Sequence, residues 1–182
     1  MILILMGRSG CGKSSIARRL IENYGYRQVT TCTTRKPRDG ETEDAYHFMD
    51  EKEFFTREAN GEFAEYDVYG TNFYGTLKSD LNTTDKLVLI VTPEGAASIK
   101  QAFPKSFVVH VKTSMKMSVL GAVSREELLT AMKLEAICAR ACEDELRFGE
   151  DLPCDFAIVN TKGISLNILA DLCAKEHEIY EK

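Results

Sequence analysis

The chain has 182 residues, 44% hydrophobic and 28% charged, with a formal net charge of −5, values ordinary for one soluble globular domain. Its longest apolar run, Met1 to Met6, falls far short of the roughly 18 residues a bilayer span needs. It also lacks a basic leader and a small-residue cleavage site, so secretion and membrane insertion are not expected and a cytoplasmic setting is. The acidic balance argues against a general nucleic-acid binder, and six cysteines without a CxxC pair or ligand spacing to His47, His110 or His177 argue against structural zinc.

The run Met1 to Met6, bounded by Gly7, predicts a strand buried on both faces. After GRSGCGKSS, the spacing of Ile16, Ala17, Leu20, Ile21 and Tyr24 predicts a helix that Gly25 caps. Charge is uneven beyond it: eight Lys/Arg against Glu22 up to Arg38, then eleven acids against Lys52 and Arg57 from Asp39 to Asp67. Asp50 and Gly61 bracket a predicted helix over 51–60, and FAEYDVYGTNFYGT reads as strand, so this stretch predicts a small mixed lobe inserted in the core. Apolar runs LVLIV (87–91), FVVHV (107–111) and FAIV (156–159) predict further buried strands, and Thr92-Pro93 opens a helix between the first two. Gly121 and Ala122 offer a hinge before a Ser124/Glu127 capping box, which predicts a long helix with an apolar seam of Leu129, Met132, Ala136, Ala139 and Leu146. The tail from Ser165, with Leu166, Leu169, Leu172, Cys173 and Ile179, predicts a docked terminal helix. The alternation of strands and helices gives an α/β class with a doubly wound, mainly parallel sheet.

Gly7-Arg8-Ser9-Gly10-Cys11-Gly12-Lys13-Ser14, followed by Ser15, matches G-x-x-x-x-G-K-[ST] between a predicted strand and a predicted helix. Backbone N–H groups of such a loop cradle phosphate at the positive end of the helix dipole. Lys13 is expected to reach the β- and γ-phosphates of ATP, and the Ser14 hydroxyl to take one Mg²⁺ position. Cys11 is read as ordinary loop packing rather than as a redox-sensitive thiol. A second cationic loop, Thr31 to Glu41, carries Arg35 and Arg38 around Pro37 and Asp39-Gly40, and two guanidinium forks near hydroxyls suit the phosphate of a second substrate.

TTRKPRDGE, AYHF (45–48), FAEY (63–66) and FYGT (73–76), in that order behind the phosphate loop, resemble the guanylate kinase family. The resemblance covers about the first 80 residues in detail, and the rest up to Asn160 more loosely. It implies a P-loop NTPase type fold and transfer of the terminal phosphoryl group of ATP to GMP, with Mg²⁺ bound alongside ATP and no obligate protein partner. It also implies a core of 1–32, 77–118 and 148–182, a GMP-binding lobe of about 33–76 and a lid of about 119–147. By the same resemblance Arg35, Arg38, Tyr46 and Tyr74 hold the GMP phosphate, Glu65 accepts from the guanine edge, Thr31 and Thr76 lie near the base, and Glu41 orients the arginine loop. One carboxylate suits guanine because N1–H and the exocyclic amine are adjacent donors, a pair adenine lacks.

Two departures bear on activity. The family pattern D-x-D-x-x-G, set on Gly95, puts Ile90 and Thr92 where acids are expected, and Gly121 and Met132 stand where lid arginines are expected. Arg125, Lys133, Arg140 and Arg147 remain as candidate lid cations. The rival readings are a weakly catalytic nucleotide- or protein-binding module, and a kinase for another guanine-like nucleotide or a phosphorylated sugar.

Overall fold

The computed structural model describes every residue except 38–40, 42–45, 70, 125, 127, 150 and 182. β1 (Ile2–Met6) runs through the phosphate loop into α1 (Lys13–Tyr24), which Gly25 closes in the left-handed conformation, and β2 (Arg27–Gln28) follows. Next come β3 (Cys32–Thr33), β4 (His47–Phe48), α2 (Glu51–Ala59), the hairpin of β5 (Phe63–Tyr69) and β6 (Asn72–Leu77), and a single turn, α3 (Lys78–Leu81). The remainder is β7 (Leu87–Ile90), α4 (Pro93–Ala102), β8 (Phe107–Lys112), α5 (Met115–Val123), α6 (Ala131–Arg147), β9 (Phe156–Val159) and α7 (Leu166–Tyr180).

The main sheet has the order β2-β7-β1-β8-β9 with parallel pairings throughout. Leu3 and Leu5 pack with Ile16, Leu20, Leu169 and Cys173 of α1 and α7, while Ile2, Ile4 and Met6 pack with Leu89, Ile99 and Phe148 on the other face. Burial on both faces is why β1 shows no polar alternation. The FAIV run looks the same in sequence yet forms an edge strand, β9, with Ala157 and Val159 exposed and Ile158 buried. Because the chain passes from β7 on one side of β1 to β8 on the other, a crevice opens at the carboxyl ends of these strands. A second sheet, β4-β3-β6-β5, is antiparallel except for the β3–β4 pair and closes over α2 through Cys32, Phe54, Phe63 and Leu77. Asp50 accepts from Glu53 N at 2.7 Å, so α2 begins where its sequence cap predicts.

The predicted helix start at Ser124 is corrected. Ser114 caps an earlier helix, α5, and Ser124 ends it, its hydroxyl donating to Gly121 O at 3.1 Å. The long helix, α6, starts six residues later under Thr130, which accepts from Lys133 N at 3.2 Å; Glu127 lies outside the described residues. Gly121 is therefore helical, not a hinge, and its backbone lies so close to Gly10 that a Cβ there would collide with the Gly10 carbonyl. The expected apolar seam of α6 also faces outward, with Met132 77% and Leu146 90% exposed. The buried stripe of α7 is likewise shifted, to Leu169, Ala170, Cys173, Ala174 and His177, leaving Leu172 and Ile179 exposed.

His177 is fully buried, with Nδ1 2.8 Å from the Tyr26 hydroxyl and its ring stacked on Phe107 at 5.4 Å. Burial, reinforced by the N-terminal ammonium and Lys86, lowers its pKa to about 4. In the unfolded chain the imidazole takes a proton near pH 6.5, so between pH 6.5 and 4 the unfolded state binds more protons and stability falls as pH falls. The loss reaches about 3 kcal/mol by pH 4. Urea unfolding of the unaltered protein and His177→Gln at pH 7 and pH 4.5 isolates this contribution: between the two pH values the unaltered protein should lose about 2 kcal/mol relative to the variant, and an equal change in both would place the effect elsewhere.

Candidate active site

One cavity of about 560 Å³ lies at the carboxyl ends of β1 and β7 and reaches across to the second sheet. Its floor is the phosphate loop, contributed by Gly7, Ser9, Gly10, Gly12, Lys13, Ser14 and Ser15. Lys13 Nζ donates to Gly7 O at 2.5 Å and Arg8 O at 2.8 Å, folded back onto the loop. Burial lowers the Lys13 pKa, opposed chiefly by Cys11 and Asp144, while Arg140 acts in the same direction as burial. Two expected loop contacts do not line the cavity. Cys11 is buried in the core, and Arg8 turns to α6, pairing with Glu145 and donating to Phe148 O at 3.4 Å. Asn160, which sequence reasoning did not single out, steadies the loop by donating to Cys11 O at 2.8 Å.

The second sheet supplies the opposite wall. Thr34 N donates to Phe73 O at 3.1 Å and Phe73 N to Thr34 Oγ1 at 2.9 Å, which ties the arginine loop to β6 beside Tyr74. Arg35 meets Glu41 through two bonds of 2.9 and 2.8 Å, and its guanidinium carbon lies 5.2 Å from the Tyr46 ring centre. The Tyr46 and Tyr74 rings stand edge to face at 6.3 Å, and Thr31 lines the cavity next to them. Arg38 and Arg125 lie outside the described residues. The expected set thus meets across one cavity as Lys13, Ser14, Thr31, Arg35, Glu41, Tyr46, Glu65 and Tyr74.

Glu65 and Thr76 are direct cross-strand neighbours on β5 and β6, and the Thr76 hydroxyl donates to Glu65 Oε1 at 2.6 Å from behind the cavity wall. The other oxygen sits against the first turn of α4: a Cβ on Gly95 would stand 2.7 Å from Oε2, so only glycine leaves it room. Glu65 is 7% exposed, and burial, with a smaller push from Asp67, raises its carboxyl to about 7 against the Thr76 hydrogen bonds. Ile90 and Thr92 reach the cavity from the end of β7, and Thr92 Oγ1 is engaged at 3.2 Å by Gly95 N as a helix cap. The protein therefore offers no carboxylate at these two positions.

α6 forms the roof, and its inner face is charged rather than apolar because it rests on the phosphate loop and β5 instead of on the core. Asp144, 5% exposed, accepts from Ser9 N at 2.6 Å. Arg140 lines the cavity one turn before it, and Arg147, one turn after, pairs with Asp67 of β5 and, at 2.9 Å, with Glu94 of α4. The sequence places Arg140, Asp144 and Arg147 on one helical face as a polar i, i+4, i+7 stripe; Arg140 and Arg147 are among the expected lid cations, and Asp144 is the member without a motif. Among the described residues no three His, Cys, Asp or Glu side chains are grouped to hold a metal ion, and the Ser14 hydroxyl is exposed at the start of α1. No helix among them is long and apolar enough to cross a membrane.

Comparison with known proteins bears on the family and the fold. A guanylate kinase from Fusobacterium nucleatum is 34% identical over 120 residues, covering 63% of this chain and 65% of its own length. One from Mycoplasma pneumoniae is 37% identical over 140 residues, 72% of this chain and 55% of the relative, and one from Symbiobacterium thermophilum is 31% identical over 167 residues, 88% and 77%. The matches thus span less than two thirds of the first two relatives. The crystal structure of a guanylate kinase from Anaplasma phagocytophilum has the same fold, with a TM-score of 0.67 at 22% identity over 98% of this chain and 85% of that one. Since the sequence model described as guanylate kinase matches residues 1–162, almost the whole chain, the protein belongs to the guanylate kinase family.

Proposed function

We propose that the chain moves the terminal phosphoryl group of ATP onto GMP, forming ADP and GDP, with a core of 1–32, 77–118 and 148–182, an acceptor lobe of about 33–76 and a lid of about 119–147. The observation that carries this reading is the continuity of one cavity from the phosphate loop to Glu65, with Arg35, Tyr46 and Tyr74 between. In this reading the loop amides and Lys13 hold the ATP phosphates, Arg35 and the tyrosines hold the GMP phosphate, and Glu65 takes the two adjacent donors of guanine. Arg38 joins Arg35 by the family resemblance. Transfer through a loose transition state asks for alignment and charge neutralisation more than for a base. The donor set fits Mg²⁺ carried in on ATP, with Ser14 as its protein ligand and water filling other positions; when bound it neutralises charge on the β- and γ-phosphates. Incubation with ATP, Mg²⁺ and a panel of GMP, dGMP, AMP, CMP and UMP tests the assignment. GDP formed in preference to the other diphosphates is expected, and equal use of AMP would overturn the guanine reading.

A second reading, a nucleotide-binding module of low turnover, is favoured by one observation, the seat of Asp144 on Ser9 N within the phosphate cradle. A carboxylate there repels an incoming phosphate, so ATP has to displace it. Asp144→Asn is therefore expected to bind ATP about tenfold more tightly, while the nucleotide-free protein loses about 1 kcal/mol of stability. Titration with a fluorescent ATP analogue reads the first effect, and weaker binding in the variant would show that Asp144 supports the nucleotide instead.

A further inference from the structure

A phosphate loop turns its N–H groups inward only while its carbonyls are held outward, because the C=O and N–H of a trans peptide point in opposite directions. Several of these carbonyls are held locally: Gly7 O and Arg8 O accept from Lys13 Nζ, and Gly12 O accepts from Ile16 N of α1. Two are held from distant parts of the chain, Cys11 O by Asn160 and Ser9 O by the hydroxyl of Ser118 on α5. Ser118 is 2% exposed, and its own N–H already donates to Ser114 O within the helix. A serine inside a helix commonly turns its hydroxyl back to the carbonyl four residues earlier. This one leaves the helix and donates to the loop.

The two backbones meet at the same place. A Cβ on Gly10 would collide with Ser118 O, and a Cβ on Gly121, one turn further along α5, would collide with Gly10 O. Gly10 also needs glycine for its left-handed φ of +77°, whereas at Gly121, inside the helix, the close approach is what calls for glycine. Ser9 is thus gripped at both ends, its N–H by Asp144 of α6 and its carbonyl by Ser118 of α5. A nucleotide that displaces Asp144 leaves the second grip in place.

We propose that Ser118 is a positioning residue for ATP, which fixes the Ser9–Gly10 peptide from outside the loop and so presents the Gly10 N–H to the phosphates. The described peptide bonds are trans, so a Ser9 carbonyl held on α5 sends the Gly10 N–H to the opposite side of that peptide. A donor fixed in advance needs no reorganisation when the phosphate charge arrives. The inference rests on ATP as the phosphoryl donor, and it adds to the loop motif a determinant that lies outside it.

Calorimetric titration with ATP, inorganic triphosphate and GMP, paired with steady-state kinetics, tests this role. Ser118→Ala should weaken ATP and inorganic triphosphate by the same factor, about tenfold, and leave GMP within about twofold. KM for ATP should rise in step while KM for GMP holds. Ser118→Thr, which keeps the hydroxyl, should recover most of the loss. A role confined to packing would lower the melting temperature without separating the ligands. An alanine variant that binds inorganic triphosphate as tightly as the unaltered chain overturns the proposal, and so does equal weakening of ATP and GMP. Should that variant not fold, Gly121→Ala decides, since it keeps the hydroxyl but pushes the Gly10 peptide away from α5: undiminished binding of inorganic triphosphate then overturns the proposal. If the unaltered chain binds neither ATP nor inorganic triphosphate, the donor-site reading fails and this inference fails with it.

Discussion

Lys13→Ala is expected to lower turnover about 10³-fold, the scale on which a lost positioned charge acts in transfer chemistry. In the nucleotide-free protein the Lys13 ammonium donates to the Gly7 and Arg8 carbonyls, and burial already lowers its pKa. The carbonyl bonds hold the charge beside the loop against that burial, ready to be exchanged for phosphate oxygens without a large rearrangement. Because the side chain bonds within its own loop, to two carbonyls and, at 3.8 Å, to Cys11 Sγ, its removal should move the melting temperature by only a few degrees. Steady-state kinetics and a thermal melt of the same sample separate the two effects. Turnover within tenfold of the unaltered protein would show that the loop does not handle the transferred group.

Glu65→Gln should raise KM for GMP about 100-fold and leave KM for ATP nearly unchanged. The amide presents N–H where guanine N1–H requires an acceptor, so one buried donor faces another. The same carboxyl predicts a pH dependence with opposite signs for binding and folding. With its pKa raised to about 7 by burial, the ionised form that guanine needs is lost below pH 7, so KM for GMP should climb about tenfold for each unit below that value. In the unfolded chain the group ionises near 4.5, so the unfolded state releases its proton first and the contribution of Glu65 to stability falls as pH rises from 4.5 through 7, opposite in sign to that of His177. Glu65→Gln should abolish the KM slope and leave the stability slope that His177 sets. A KM for GMP that stays flat between pH 5.5 and 7.5 in the unaltered protein would contradict a carboxylate reader at this position.

The parts of the fold that were legible in sequence are those where local chemistry and tertiary burial agree. β1 is apolar because both its faces are covered, the glycine loop and α1 follow from one contiguous motif, and α2 starts at the Asp50 cap that its sequence announces. α6 shows where this agreement ends. A helix that roofs a polar cavity turns its charged stripe inward, so a rule that sends apolar residues to the core assigned the wrong face to Leu146 and Met132. The Ser124 cap misled for a related reason: Ser114 lies ten residues earlier with equal capping chemistry, and its helix uses Ser124 as an end. β9 reads as a central strand because an apolar run does not record whether a neighbour covers its second face.

The candidate site divides the same way. Lys13, Ser14, Arg35, Glu41, Tyr46, Glu65 and Tyr74 were named from motifs, and they line one cavity. Asp67, Asp144 and Asn160 were not, since each acts through a partner distant in sequence: Arg147, the Ser9 amide and the Cys11 carbonyl. No motif spacing encodes such contacts. They require the helix and the loop to be folded against each other first.

The measurement that bears most directly on the central claim is a single-turnover reaction with ATP labelled in its γ-phosphate, excess protein, Mg²⁺ and GMP. Separation of the nucleotides after quenching reports where the label has gone. Phosphotransfer predicts that it moves to the terminal phosphate of GDP, with little release as inorganic phosphate because α6 covers the cavity. Label that remains in ATP, or that is released to water at the same rate with and without GMP, would contradict the assignment of this chain as an ATP:GMP phosphotransferase.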